Sequence, residues 1–301
     1  VNAGELQDGV KTPIPKNTPT ENGAVTADAA LRLSVVWSCV QVFSQIVGSL
    51  PIHVRDKDNK ILKDHQIYRL LHRRPNSVQT AYTFWQTILV HIMCYGNAFV
   101  KIGRFGDSIS LNIIDPANVE LEKKKYTLKY YVNDAETPSA DILHFRGLSL
   151  DGLIGLSPIA YLAEIIAQAR ATGETFSQEF RNGIKAGGFL QTGAGVLKED
   201  QRKALENALD AFSRPENAGR WMILEDGQTA EYAKKPTAKD AQLVESRKQL
   251  VTEICGAFGV HPSMIGYSFD GETWGGTIEQ QNLQFLQYQL NPMLVNIEQE
   301  L

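Results

Sequence analysis

The chain has only three cysteines, Cys39, Cys94 and Cys255, among 301 residues. Each falls inside an apolar helical pattern. An odd, widely spaced set excludes a disulfide framework and fits buried thiols in a reducing compartment. No apolar run nears the ~18 residues of a membrane span, and no signal peptide is visible. A basic excess is missing too: 30 Lys and Arg stand against 34 Asp and Glu, a net charge of −4. Contact with DNA should therefore be weak or sliding, because few phosphates can be neutralised.

Catalytic patterns are equally scarce. His53, His65, His72, His91, His144 and His261 form no pair with metal-ligand spacing, and there is no Cys-x-x-Cys. No phosphate-binding G-x-x-x-x-G-K-[ST] loop and no G-x-S-x-G elbow occurs. Gly183, Gly187, Gly188, Gly193 and Gly195 lack fingerprint spacing and follow a helix, which reads as a flexible helix exit. Asp270 and Glu272 could pair as carboxylates, but solvated charges in a Gly-rich loop explain them as well. Arg73-Arg74 and Lys123-Lys124-Lys125 read as solvated edges. No catalytic residue, metal or cofactor is expected.

The last absence is the most informative. From 280 to 297 there is no Asp, Glu, Lys or Arg, while Gln280, Gln281, Gln284, Gln287 and Gln289 keep the stretch polar. A surface helix ordinarily carries charge on its wet face. A neutral polar one suits a packed interface or a channel wall.

What is present reads as α+β, with helices and antiparallel strands segregated. Residues 1–24, with Pro13, Pro15 and Pro19, read as a disordered arm. Thr26 offers an N-cap, and Leu33, Val36, Val40, Phe43 and Val47 make one helical face. A strand at 52–55, a helix at 65–73 and a Thr80-capped helix closed by Gly96 follow. Short strands are expected at 98–103, 109–113, 119–122, 126–132 and 142–145.

Ser157-Pro158 opens a helix of about 25 residues, roughly 38 Å at 1.5 Å per residue. Its narrow seam includes Leu162, Ile166 and Phe176. An insert at 189–236 precedes a second long helix from Thr237, with Leu250 and Ile254 aligned. Narrow seams belong to helices packed side by side, so self-association through these five residues is expected. The loop after Pro262 carries Tyr267, Ser268, Phe269, Asp270, Glu272 and Trp274 among glycines. Aromatics there imply an oligomer contact, a ligand contact or a lid on the core. The last helix starts at Thr277, with Leu283, Leu286, Leu290, Met293 and Ile297 inward and a kink at Pro292. No C-cap residue follows Leu301, which reads as a truncation.

The order of short motifs resembles the portal proteins of tailed double-stranded DNA bacteriophages, of the siphophage type. The segments are Val36-Trp37-Ser38-Cys39-Val40, Leu50-Pro51-Ile52-His53-Val54, Leu70-Leu71 to Pro75-Asn76, Tyr95-Gly96-Asn97-Ala98-Phe99 and Ile113-Ile114-Asp115-Pro116. They continue as Ile142-Leu143-His144-Phe145-Arg146, Asp151-Gly152-Leu153-Ile154-Gly155-Leu156-Ser157-Pro158, Arg181-Asn182-Gly183, Phe258-Gly259-Val260-His261-Pro262 and Leu290-Asn291-Pro292. Each is weak alone; their shared order across 25–301 is specific. His261 stands where a second Pro or similar is expected, and a usual further C-terminal segment is missing.

The resemblance implies a structural protein of the virion, assembled in the host cytoplasm as a ring, typically of twelve subunits, at one capsid vertex. It implies a wing at 25–156, stem helices at 157–184 and 237–259, and a clip at 185–236. A tunnel loop at 260–276 and a channel-lining helix at 277–301 complete the set. Implied partners are double-stranded DNA, the terminase large subunit, the head-tail adaptor, and the major capsid and scaffold proteins, with no membrane. Twelve copies at −4 give about −48, which repels phosphate and keeps DNA sliding. Two rivals stand beside this reading: a ring-forming adaptor with no channel role, and an α+β hydrolase using Asp270, Glu272 and a histidine.

Overall fold

A computed structural model describes residues 6–20, 24–106, 108–125, 127–181, 188–191, 199–200, 202–204, 206–207, 229–232, 237–267 and 278–301. The chain opens with β1 (Lys11–Pro13), β2 (Asn17–Thr18) and β3 (Val25–Thr26), then α1 (Ala27–Leu31), α2 (Ser34–Ser49), α3 (Gln66–His72) and α4 (Ala81–Tyr95). Next come β4 (Asn97–Phe105), β5 (Ser108–Ile114), β6 (Val119–Lys124), β7 (Thr127–Val132), β8 (Ala135–Thr137) and β9 (Ile142–Arg146). Helices α5 (Pro158–Tyr161) and α6 (Ala163–Arg181) precede β10 (Gly188–Gln191) and β11 (Thr229–Tyr232). Helix α7 (Thr237–Phe258), α8 (Ile278–Phe285), a π-helical turn (Leu286–Leu290) and α9 (Asn291–Glu300) close the chain.

The class is α+β, as the pattern predicts. Every named strand pair is antiparallel, in sheets ordered β1-β6-β7-β8, β5-β4-β9, β2-β3 and β10-β11. The chain divides into two compact units, residues 1–167 with 250–301, and residues 168–249. In the first unit, Asn97, Ala98, Phe99 and Val100 of β4 are all buried, so both faces of the strand are covered. Alternation disappears where a strand has no wet face. On one side Phe99 and Ile142 share a cluster with Val119, Leu121 and Tyr130 of the four-stranded sheet. Another part of the core is helical: α2 packs along α4, and the Trp85 ring meets Phe84 and Phe145 edge-on. The Trp85 indole N–H donates to Leu71 O at 3.1 Å, which satisfies its buried polar atom.

Local signals explain the boundaries. Thr80 accepts from Thr83 N at 3.3 Å while Thr83 returns a bond to Thr80 N at 3.1 Å, a reciprocal cap. Gly96 ends α4 at φ 73°. The strand read at 52–55 reduces to a single bridge, Arg55 opposite Ile61. The long helix read from Ser157 is capped as expected, Ala160 N donating to Ser157 Oγ at 3.1 Å, but is interrupted at the single residue Leu162.

The N-terminal arm corrects the sequence reading. Within 6–20 it is docked. Strand β1 pairs with β6, Lys11 opposite Glu122 and Pro13 opposite Glu120. Leu6 and Ile14 are buried, and the Lys11 ammonium sits 3.7 Å from the Tyr131 ring centroid. A proline-rich segment can do this because β1 is an edge strand, where a missing N–H breaks no ladder. Two isolated apolar residues carried no periodicity to reveal it.

In the second unit β10 pairs with β11, Gly188 opposite Tyr232. Most of the insert expected at 189–236, Leu205, Leu209, Phe212 and residues 221–225 among it, lies outside the described residues.

Candidate functional site

The loop after α7 is the candidate site, and its base is held on both sides. Gly259 leaves α7 at φ 68°, and a Cβ there would stand 2.3 Å from the Gln289 amide. The left-handed φ favours glycine, and the contact seats the π-helical turn against the end of α7. His261 Nδ1 accepts from Ser263 N at 3.3 Å and caps a short 3-10 turn (Pro262–Ile265), which Gly266 ends at φ 83°. Ser263 Oγ donates to Gln281 Oε1 on α8 at 3.3 Å. The Tyr267 and Ser34 hydroxyls meet at 3.3 Å, tying the loop to the start of α2. Of the six expected loop residues, Tyr267 is thus fixed at the base. Ser268, Phe269, Asp270, Glu272 and Trp274 lie outside the described residues. His261 is engaged as a cap, so it has a structural task of its own.

The seam residues need correction. Leu162, Ile166, Leu250 and Ile254 are all buried inside the single chain, Ile166 and Ile254 completely. They belong to the subunit's own core and have no face left for a second copy. The narrow stripe records how these segments pack onto the subunit's own core, a use that periodicity alone cannot tell from association between chains. Phe176 lies on α6, and its side chain is outside the described residues. Cys39 and Cys255 meet in this core, where the bond that Cys39 donates to Cys255, with burial, holds the Cys39 thiol far above its ordinary value.

The C-terminal helix differs in register from the 3.6-residue reading. Phe285, Leu290 and Ile297 are buried, whereas Leu283 is 56% and Leu286 50% exposed. The π-helical turn is the cause. It takes five residues from Phe285 to Leu290 in place of about four, which rotates everything upstream by one position. It lies one turn before Pro292, whose ring cannot tolerate the ordinary carbonyl geometry behind it. The expected kink at Pro292 is therefore a π-turn, and Leu283, Leu286 and Tyr288 are left in solvent with no charge between them.

Beneath the helix lies a buried polar network that the sequence reading missed. Asn97 Oδ1 accepts from His144 Nε2 at 3.0 Å and from Gly155 N at 2.8 Å, and its amide donates to Tyr95 O and Gly155 O. The Tyr130 hydroxyl faces His144 Nδ1 at 3.4 Å, and Arg146 reaches the same hydroxyl at 3.5 Å. Glu300 accepts from His144 N at 2.9 Å and pairs with Arg146 at 3.5 Å, and Asn296 donates to Arg146 O at 2.5 Å. So α9 is latched to edge strand β9. The strings Tyr95-Gly96-Asn97 and Ile142–Arg146 carried this signal as motifs without showing that they touch.

Burial, with Arg146 beside it, drives the His144 pKa well below the ordinary histidine value. The neutral ring fits the bonds: Nε2–H donates to Asn97, and Nδ1 accepts from Tyr130. A depressed folded pKa stabilises the fold fully above the unfolded value of about 6.5 and progressively less as pH falls below it. Melting temperature is therefore expected to drop between pH 7 and pH 5. His144→Gln should melt lower at pH 7 yet show a flatter profile over that window. Parallel profiles for the two proteins would remove His144 as the cause.

Among the described residues, no group of three His, Cys, Asp or Glu is placed to hold a metal ion, and no helix is long and apolar enough to cross a membrane. The geometry is that of a strapped loop base, a neutral helix with an uncovered apolar face, and a latched sheet edge.

Comparison with known proteins fits this arrangement. The family model described as phage portal protein matches residues 34–301. The portal protein of Enterobacteria phage HK97 is 34% identical over 284 residues, covering 91% of this chain and 67% of that protein. The probable portal protein of Streptomyces phage phiC31 is 29% identical over 295 residues, covering 91% of this chain and 64% of that protein. The chain thus spans about two thirds of the length of these relatives. In fold it is similar to a chain in the neck of an empty gene transfer agent particle, solved with C6 symmetry. There the TM-score is 0.69 at 21% identity, over 91% of this chain and 79% of that one. With a family match across nine-tenths of its residues, the chain belongs to the phage portal protein family, whose members are structural proteins of the virion and not enzymes.

Proposed function

We propose that this chain is one subunit of a ring that conducts double-stranded DNA through a single capsid vertex, inward during packaging and outward during ejection. The observation that carries the reading is the family match over residues 34–301. The similar neck chain comes from a particle treated with sixfold symmetry, which supports a ring here. Twelve subunits in the virion is the number the family favours. The C-terminal helix, free of charge from 280 to 297 and with Leu283 and Leu286 uncovered, offers a face that a neighbouring copy would cover.

In this reading residues 25–156 are the wing, 157–184 and 237–259 the stem helices, and 185–236 the clip. The terminase large subunit and then the head-tail adaptor dock on the clip. The major capsid and scaffold proteins surround the wing. The subunit folds and assembles in the host cytoplasm before joining the capsid. The loop at 260–276 enters the channel, and the helix at 277–301 lines it. A loop strapped at Ser263 and Tyr267 can press on a duplex while its base stays fixed. Its Asp270 and Glu272 would repel phosphate and prevent a lasting grip.

A conduit must release what it passes. Binding of random-sequence duplex should be weak, with a shallow dependence of log K on log salt, because few phosphates are neutralised. Titration of labelled duplex at several salt concentrations measures this. A nanomolar, sequence-dependent complex at physiological salt would contradict a sliding channel. A ring-forming adaptor without a channel role is the competing reading, and the width of the ring lumen separates the two.

A further inference from the structure

Residues 53–74 build a small basic unit that the conduit reading leaves without a task. Leu62 N donates to Val54 O at 2.8 Å and Arg55 faces Ile61, closing a hairpin whose turn has Asn59 at φ 65°. The hairpin is held on α3 by stacked rings. His53 lies 5.1 Å from His72, and Tyr68 lies 4.7 Å from His72, centroid to centroid. His72 Nδ1 donates to Ile52 O at 3.2 Å, tying the helix to the segment that enters the hairpin.

This scaffold presents seven exposed cations. Arg55, Lys57, Lys60 and Lys63 lie on the hairpin and its exit; Arg69, Arg73 and Arg74 lie on α3 and just after it. Only Asp56, Asp58 and Asp64 oppose them, so the segment holds a local excess of four positive charges in a chain of net −4. Among the described residues, none of the seven forms an ion pair with a carboxylate. The Asp56 carboxylate is engaged in the turn, accepting from Asp58 N at 2.9 Å and Lys60 N at 2.8 Å. The same unit leaves Ile61, Leu62 and Ile67 exposed at 39, 37 and 42%.

We propose that this unit docks an acidic, amphipathic segment of a partner protein. Its carboxylates would pair with the guanidinium and ammonium groups while its apolar side chains cover Ile61, Leu62 and Ile67. Charge complementarity selects the partner, and the three aliphatic side chains select protein over nucleic acid. A phosphate backbone offers them nothing apolar, and interleaved aspartates repel it.

The test uses a fluorescent helical peptide with Glu along one face and Leu along the other, titrated with the whole protein at physiological salt. Comparison peptides carry Gln for Glu or Ser for Leu, and labelled duplex DNA is the fourth probe. The Glu/Leu peptide is expected to bind about tenfold more tightly than either comparison peptide. Arg69→Glu with Arg73→Glu should weaken it about tenfold, and Ile67→Ser several-fold. All three sites are exposed, so melting curves should match the parent. No binding of the Glu/Leu peptide, or equal binding by the charge-reversed protein, overturns the proposal. Duplex DNA that binds more tightly and displaces the peptide makes the unit a nucleic-acid surface instead.

Discussion

Gly155→Ala is expected to leave no folded protein. A Cβ at Gly155 would stand 1.9 Å from Gly96 O and 2.9 Å from Gly147 N. Gly96 faces the same loop at φ 73°, where its own Cβ would meet Leu156 O at 2.1 Å. The obstructing atoms are backbone, so no side chain can turn aside. Moving either loop breaks the bonds that Asn97 makes to Gly155 and also frees Ser157, whose hydroxyl donates to Cys94 O at 2.7 Å. The cost should exceed about 4 kcal/mol, a large share of the ~5–15 kcal/mol that holds a domain together. Gly152→Ala is the control. Its φ of 72° is equally left-handed, yet nothing lies within 4 Å, so it should cost only about 1 kcal/mol. Circular dichroism and soluble yield read the first variant, and denaturant titration the second and any first variant that folds. Equal stability of the two variants would mean that the Gly96–Gly155 approach does not hold the fold.

Deleting residues 268–274 should have the opposite profile: little effect on stability and a nearly complete loss of function. The anchors of the loop base, Ser263 with Gln281 and Tyr267 with Ser34, lie outside the deletion and are kept. Loops add little core, and the melting temperature should move by no more than a few degrees. In a phage carrying the deletion, filled infectious particles should fall by orders of magnitude, through failed packaging or leakage. Loss of soluble protein would place Trp274 in the core. A normal yield of filled particles would leave the loop without a role in DNA passage.

Much of the fold was legible because local physics decides it. Thr80 caps and Gly96 stops α4 through bonds within a few residues, and α2 shows its buried face at plain helical spacing. Asn133-Asp134, both at positive φ, form the two-residue turn between β7 and β8. Asn and Asp tolerate positive φ, so the pair is itself a hairpin signal. Other features depend on what lies across the fold. Leu6 and Ile14 show their purpose only beside β6. Leu162 and Ile254 repeat like an association seam, yet they lie within the subunit. Leu283 and Leu286 sit where a continuous α-helix would bury them, and only the π-turn before Pro292 turns them out. The candidate site was legible as composition, a bulky Gly-rich loop beside a neutral helix. Its anchors were not, because Ser34 with Tyr267 and Gly259 with Gln289 join residues far apart in the chain.

Electron microscopy of the purified protein tests the central claim most directly. The conduit reading predicts closed rings of one size, with an open lumen wide enough for a DNA duplex and the loop at 260–276 projecting into it. Monomers at high concentration, or rings whose lumen cannot admit a duplex, would contradict it.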